Sequence, residues 1–171
     1  MHALVVYESM FGNTEAIAEA VAAGVGTHMS VEVVEVGHAS PALDQAVDLL
    51  VVGGPTHAFG MSRPRTRASA AEQATTGLVS TGPGLREWLE TLECPGTTIA
   101  AAFDTRVDKP RLPGAASHGV EKRLRRLGCT IAARGTSFFV EGTSGPLIAG
   151  EQDRARRWGE SLAAAVVAQH V

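Results

Sequence analysis

The sequence predicts an α/β chain. It is a doubly wound, five-stranded parallel sheet of order 2-1-3-4-5, set in a three-layer sandwich with helices on both faces. Three observations predict it. Short apolar runs alternate with amphipathic segments along the 171 residues, and that alternation builds parallel sheets. The apolar runs are continuous rather than every-other-residue, as in strands covered on both faces. Right-handed crossovers then leave few ways to wind five strands. The length suits one domain, residues 1–171, since a single core commonly serves about 100–200 residues.

The elements follow in order. Ala3–Tyr7 (ALVVY) opens as the first strand, and Asn13 to about Gly24 follows as a helix with Ile17 and Val21 on one stripe. Gly24 and Gly26 are its stops. Val31–Val36 is the second strand, and Pro41–Val47 reads as a short helical stretch. Leu49–Gly53 is the third strand, cut off by Gly53-Gly54-Pro55. Residues 60–84, rich in Gly, Ser, Thr and Arg, read as irregular. Leu85, Trp88, Leu89 and Leu92 mark one face of a helix, and Thr97–Phe103 is the fourth strand. Val120, Leu124 and Leu127 lie on a helix whose wet face carries Lys122, Arg123, Arg125 and Arg126. Cys129–Ala133 is the fifth strand, with Ser137–Val140 as its continuation. Ala155, Trp158, Leu162 and Val166 trace the last helix.

Composition excludes several classes. Hydrophobic residues make up 44% and charged residues 19%, enough apolar content for a core and too much for a disordered chain. A net charge of -3 gives no basis for nucleic-acid binding. No apolar run approaches the roughly 20 residues that span a bilayer, so no membrane partner is expected. The opening MHALVVYESM lacks the basic region of a secretory signal, and a cytoplasmic location is expected. Six scattered histidines form no HxH or HExxH, so no metal site is expected. No GxSxG elbow offers a hydrolase nucleophile. A phosphoacceptor receiver needs an acidic cluster after the first strand and an Asp after the third, where this chain has Glu8 alone and Gly53-Gly54-Pro55. Cys94 and Cys129 form neither a CxxC nor a zinc pattern. They precede neighbouring strands, so both thiols are expected at the amino edge of the sheet as packing residues, a disulfide being the alternative.

In a doubly wound sheet, ligands bind beyond the carboxyl ends of the strands, at the switch between strands 1 and 3. The first loop there is Glu8-Ser9-Met10-Phe11-Gly12-Asn13-Thr14, running straight into a helix. It offers hydroxyls at Ser9 and Thr14, an amide at Asn13 and a glycine that lets the backbone curl. Backbone N–H groups at a helix N-terminus hold anions, aided by the helix dipole. The loop has no Lys, so it is not a Walker A site, and it is not a GxGxxG turn. A neutral nest of this kind suits a monophosphate that stays bound; ordinary capping is the alternative.

This loop, as SMFGNT, resembles the phosphate loop of the flavodoxin family, roughly Thr/Ser-x-Thr-Gly-x-Thr, with Phe11 where a hydroxyl usually stands. The loop GGPTHAFG and the segment FFVEGTSGPLIAGE carry the resemblance through the chain, which looks like the short-chain type. The resemblance implies a flavodoxin-like fold that binds FMN. Its phosphate would lie on Ser9, Met10, Phe11, Gly12, Asn13 and Thr14. The ring would lie between the loop Pro55, Thr56, His57, Ala58, Phe59, Gly60 and a third loop that begins Asp104, Thr105, Arg106 and runs past Pro110. Thr56 would hydrogen-bond the flavin, His57 and Phe59 would stack on it, and Asp104 and Thr105 would reach ribityl hydroxyls or the pyrimidine edge. His57 is expected to titrate near neutral pH. The third loop lacks the Tyr or Trp that many flavodoxins place against the ring; the one Tyr is Tyr7. Arg106 beside the ring would stabilise an anionic reduced flavin, so a potential less negative than that of acidic flavodoxins is expected.

The implied function is electron transfer through FMN, to a redox partner protein or a small-molecule acceptor. Two alternatives stay open. One is an FMN-dependent NAD(P)H:quinone reductase, for which the alternate arginines of Met61–Arg67 (MSRPRTR) would bind nucleotide phosphates or an acidic partner. The other is a flavodoxin-fold module with no cofactor.

Overall fold

The computed structural model describes residues 1–109 and 112–170. Its sheet runs β2 (Ser30–Glu35), β1 (His2–Tyr7), β3 (Leu49–Pro55), β4 (Ile99–Val107), all parallel. The fifth position is shared by β5 (Thr130–Ile131) and β6 (Thr136–Val140), both paired with β4. The order is thus 2-1-3-4-5, as the apolar pattern predicts. β1, β3 and the first seven residues of β4 are almost wholly buried, which is why these runs are continuously apolar. Among the described residues, no helix is long and apolar enough to cross a membrane.

Two helical layers complete the sandwich. On one face α1 (Asn13–Val25) and α5 (Glu151–Gln169) pack over Val5, Val51, Ala101 and Phe103. Phe103, Phe138 and Trp158 meet edge to face there, with centroids 6.0–6.2 Å apart. Two glycines let the helices approach closely. A Cβ on Gly24 would sit 1.9 Å from the Arg156 carbonyl oxygen, and one on Gly159 would sit 2.2 Å from that of Val21. On the other face α3 (Leu85–Thr91) and α4 (Ala116–Arg126) cover Val6, Leu50, Val52 and Ala102.

Four expectations are corrected. Pro41–Val47 is not helical: Ser40 Oγ accepts the Ala42 N–H and Asp44 Oδ1 accepts the Ala46 N–H, and such local side-chain bonds compete with a helix. Residues 60–84 are not irregular throughout, because α2 spans Pro64–Gln73. Proline at the first position and Thr66, whose hydroxyl accepts the Arg63 N–H, start this helix. It has no apolar stripe, only Ala70 being buried, so periodicity could not reveal it. β4 does not stop at Phe103 but runs to Val107, because β6 continues the pairing beyond β5. The fifth strand is itself interrupted: between Ile131 and Thr136 it carries two residues more than β4 can match. Pro110, read as part of the third loop, lies outside the described residues.

Candidate functional site

A cavity of about 330 Å³ opens at the carboxyl ends of β1, β3 and β4, within the range of roughly 300–1,000 Å³ typical of small-molecule sites. Its floor is the loop from β1 into α1. Gly12, at φ 91, turns the chain in the left-handed region and ends the loop. Its N–H goes to Ser9 Oγ at 3.1 Å, and Ser9 itself is fixed to Ser80 through its N–H and its carbonyl. Among the described residues, the N–H groups of Met10, Phe11, Asn13 and Thr14 have no protein acceptor, and α1 has no side-chain cap. These are the donors that an anion at a helix N-terminus requires.

The side chains of the loop are used differently from one another. Asn13 Nδ2 donates to the Ser144 carbonyl at 3.1 Å, clamping the segment after β6 onto the cradle. Thr14 Oγ1 lies 2.7 Å from Thr105 Oγ1, both nearly buried. One hydroxyl proton serves that bond, and the second remains free for a ligand oxygen.

The second loop forms the upper wall. The Thr56 N–H donates to the Thr105 carbonyl, and its hydroxyl accepts the Ala116 N–H at the start of α4. Mutual backbone bonds between His57 and Gly60 close a tight turn, which places Ala58 (φ 44) and Phe59 (φ 72) in the left-handed region. His57 Nδ1 lies 3.1 Å from Thr66 Oγ1. That hydroxyl gives its one proton to the Arg63 carbonyl, so Nδ1 must be the donor and Nε2 the bare acceptor. Burial first, then Arg67, lowers the His57 pKa. Both effects favour the neutral ring.

Of the expected ring contacts, Pro55, Thr56, His57, Ala58, Thr105 and Arg106 line the cavity. Phe59 does not; it is 57% exposed and its carbonyl presses on Gly114. Gly12 and Gly60 shape turns rather than walls. Asp104 is fully buried within β4, its Oδ2 accepting the Ser117 N–H in the first turn of α4. Burial pushes its carboxyl pKa up, and it does not line the cavity. The Arg106 guanidinium donates to the carbonyls of Gly114 and Leu112 at 3.0 and 3.2 Å, so it stands at the cavity as a fixed cation.

Sequence reasoning missed one wall. Thr66, Ser69, Ala70 and Gln73 of α2 face the cavity, as do Val140 at the end of β6 and Thr143 beyond it. The Ser/Thr content of the segment was visible, but with no apolar stripe nothing turned those hydroxyls toward one side. Beneath the wall lies a polar network. The buried Glu8 accepts from Ser62 Oγ and from the Leu85 N–H at 2.9 Å. Arg67 donates to Ser62 Oγ and to Glu87 Oε1, each at 2.8 Å. The network holds α2, α3 and the first loop together. Burial outweighs the hydrogen bonds and raises the Glu8 pKa. Arg67 is thereby removed from the arginine patch expected over Met61–Arg67; Arg63 and Arg65 remain exposed.

A parallel sheet of order 2-1-3-4-5 between two helical layers, with unpaired amides at the first switch-point loop, defines the doubly wound α/β class. Residues 5–92 match the family model described as Flavodoxin, and the chain belongs to the flavodoxin family. No curated protein matches it. Among solved structures, a flavodoxin from the domain Archaea superposes with a TM-score of 0.66 at 20% identity, covering 98% of this chain and 99% of that one. Flavodoxin 1 from Bacillus cereus gives 0.68 at 16%, covering 100% and 99%. The Flv1 flavodiiron core from Synechocystis sp. PCC6803 gives 0.65 at 16%, and there this chain spans 36% of the neighbour's length. At these identities the superpositions speak for the fold.

Proposed function

We propose that this chain, as a single domain, binds FMN and passes electrons to a redox partner protein or a small-molecule acceptor. One observation carries the reading: the unpaired amides of Met10, Phe11, Asn13 and Thr14 open into the cavity beside the free proton of the Thr14–Thr105 pair. These donors fit a terminal monophosphate. His57 and Arg106 stand where the walls would flank a planar ring. The electron chemistry belongs to the bound cofactor and to no side chain. The chain's own work is to hold the phosphate, exclude water from the ring and set its electrostatics. Arg106 favours negative charge on the ring, and His57 offers a hydrogen-bond acceptor without adding charge.

The test is FMN titration of the apoprotein, followed by its visible spectrum. Thr14→Ala should weaken FMN by roughly tenfold to a hundredfold, the 1.5–3 kcal/mol of a hydrogen bond to a charged group. It should leave riboflavin, which lacks the phosphate, nearly unchanged. Equal losses for the two ligands would place the phosphate elsewhere, and a protein that takes up no FMN would end the proposal. A reductase reading is favoured by the exposed Arg63 and Arg65 at the start of α2, the helix that forms the missed wall. Steady NADH or NADPH oxidation with a quinone, by the pure FMN-loaded protein, distinguishes it from a carrier.

A further inference from the structure

The two cysteines meet at the end of the sheet opposite the cavity. Cys94 follows α3 and leads toward β4, while Cys129 follows α4 and leads into β5. Pairing of Ile99 with Thr130 holds the two lead-ins side by side, and the Sγ atoms lie 2.9 Å apart. Cys94 is partly exposed and Cys129 is buried. Among the described residues, no cluster of potential metal ligands surrounds them, and the other partner of Cys94 Sγ is the Pro95 carbonyl at 3.6 Å.

We propose that Cys94 and Cys129 form a reversible dithiol–disulfide site, oxidised by exchange with a low-molecular-weight disulfide. Exposure sets the order of events. The Cys94 thiolate attacks one sulfur of the small disulfide, whose S–S bond breaks. One small thiolate leaves and takes up a proton, and Cys94 carries a mixed disulfide. Cys129 then gives its proton to solvent and attacks Cys94 Sγ, expelling the second small thiolate. In sum two protein thiols are oxidised, and one small disulfide is reduced to two thiols. In the dithiol, burial first and then Cys94 beside it push the Cys129 thiol up to about 12, so ring closure draws on a scarce thiolate. Its rate follows the scarce thiolate and rises about tenfold per pH unit below that value. The product ties α3 to α4, which already share the Arg123–Glu90 ion pair at 3.3 Å.

The experiment incubates the folded full-length chain with oxidised glutathione, quenches with acid, alkylates free thiols and weighs the protein. The wild type should pass through a single glutathione adduct to a form that has lost two hydrogens and resists alkylation. Peptide mapping should join Cys94 to Cys129, and dithiothreitol should restore both thiols. Cys129→Ser should stop at the adduct, and Cys94→Ser should form adduct at least about tenfold more slowly. Two adducts on one wild-type chain, a disulfide-linked dimer, or a wild-type adduct as long-lived as that of Cys129→Ser would overturn the proposal. Should a variant fail to fold, the wild type alone decides: conversion of adduct to disulfide must accelerate with pH, and a pH-independent rate refutes the assignment.

Discussion

Replacing Gly159 with alanine should destabilise the protein even though alanine is the better helix former. Gly159 lies in the interior of the 19-residue α5, where Gly→Ala alone would gain about 1 kcal/mol. Against this, the new Cβ would sit 2.2 Å from the Val21 carbonyl oxygen and 3.0 Å from its carbon. The obstacle is main chain and cannot swing aside, so α1 and α5 must part by about 1 Å, loosening the cluster that Ile17, Ala18 and Val21 share with Ala155, Leu162 and Ala163. Overpacking commonly costs about 1–3 kcal/mol, and a rigid obstacle puts this site at the upper end. The expected net is a loss of about 1–2 kcal/mol. Urea unfolding should show a lower midpoint at an unchanged slope. Because the unpaired amides proposed to hold the FMN phosphate lie at the start of α1, FMN affinity should fall as well. A midpoint equal to or above the wild type would mean that helix propensity outweighs the contact, and the close crossing would not be what holds these helices.

In the FMN complex proposed above, Arg106→Ala should make reduction of the flavin harder, moving the potential negative by roughly 60 mV if the cation is worth tenfold to a one-electron couple; potentiometry showing no change would remove Arg106 from redox tuning. Glu8 has a raised pKa through burial, so between the ordinary carboxylate value and the raised one the folded state binds more protons than the unfolded. Its contribution to stability is complete below that window and is lost as pH rises through it, and Glu8→Gln should flatten that part of the stability–pH curve; unfolding midpoints across mildly acidic pH check this. Gly12→Ala meets no atom within 4 Å yet has φ 91, so it should cost about 1–2 kcal/mol from the backbone alone; Gly12→Asn should cost less, and equal midpoints for both would contradict the left-handed turn.

Strand order, both helical layers and the turn at Gly12 were legible because each leaves a local mark. Buried parallel strands such as the one read over Leu49–Gly53 are apolar at nearly every position, and SMFGNT places its glycine where the turn needs it. What escaped depends on distant partners. Asp104 and Thr105 look like loop residues after an apolar run, yet β6 extends β4 through them. Once inside the sheet, Asp104 accepts the Ser117 N–H at the start of α4 and does not line the cavity. Pro41–Val47 has helical spacing but side chains that bond their own backbone. The proximity of Cys94 and Cys129 was foreseen from strand order alone, and the geometry bears it out.

The polar attachment of α2 has a consequence for the molecule's breathing. With only Ala70 buried, this segment is moored by Arg67 to Ser62 and Glu87 rather than by oil. A helix tethered in that way can detach locally at far less free energy than global unfolding. This side of the chamber should therefore open locally, as faster amide exchange in α2, while the sheet and both hydrophobic layers stay shut.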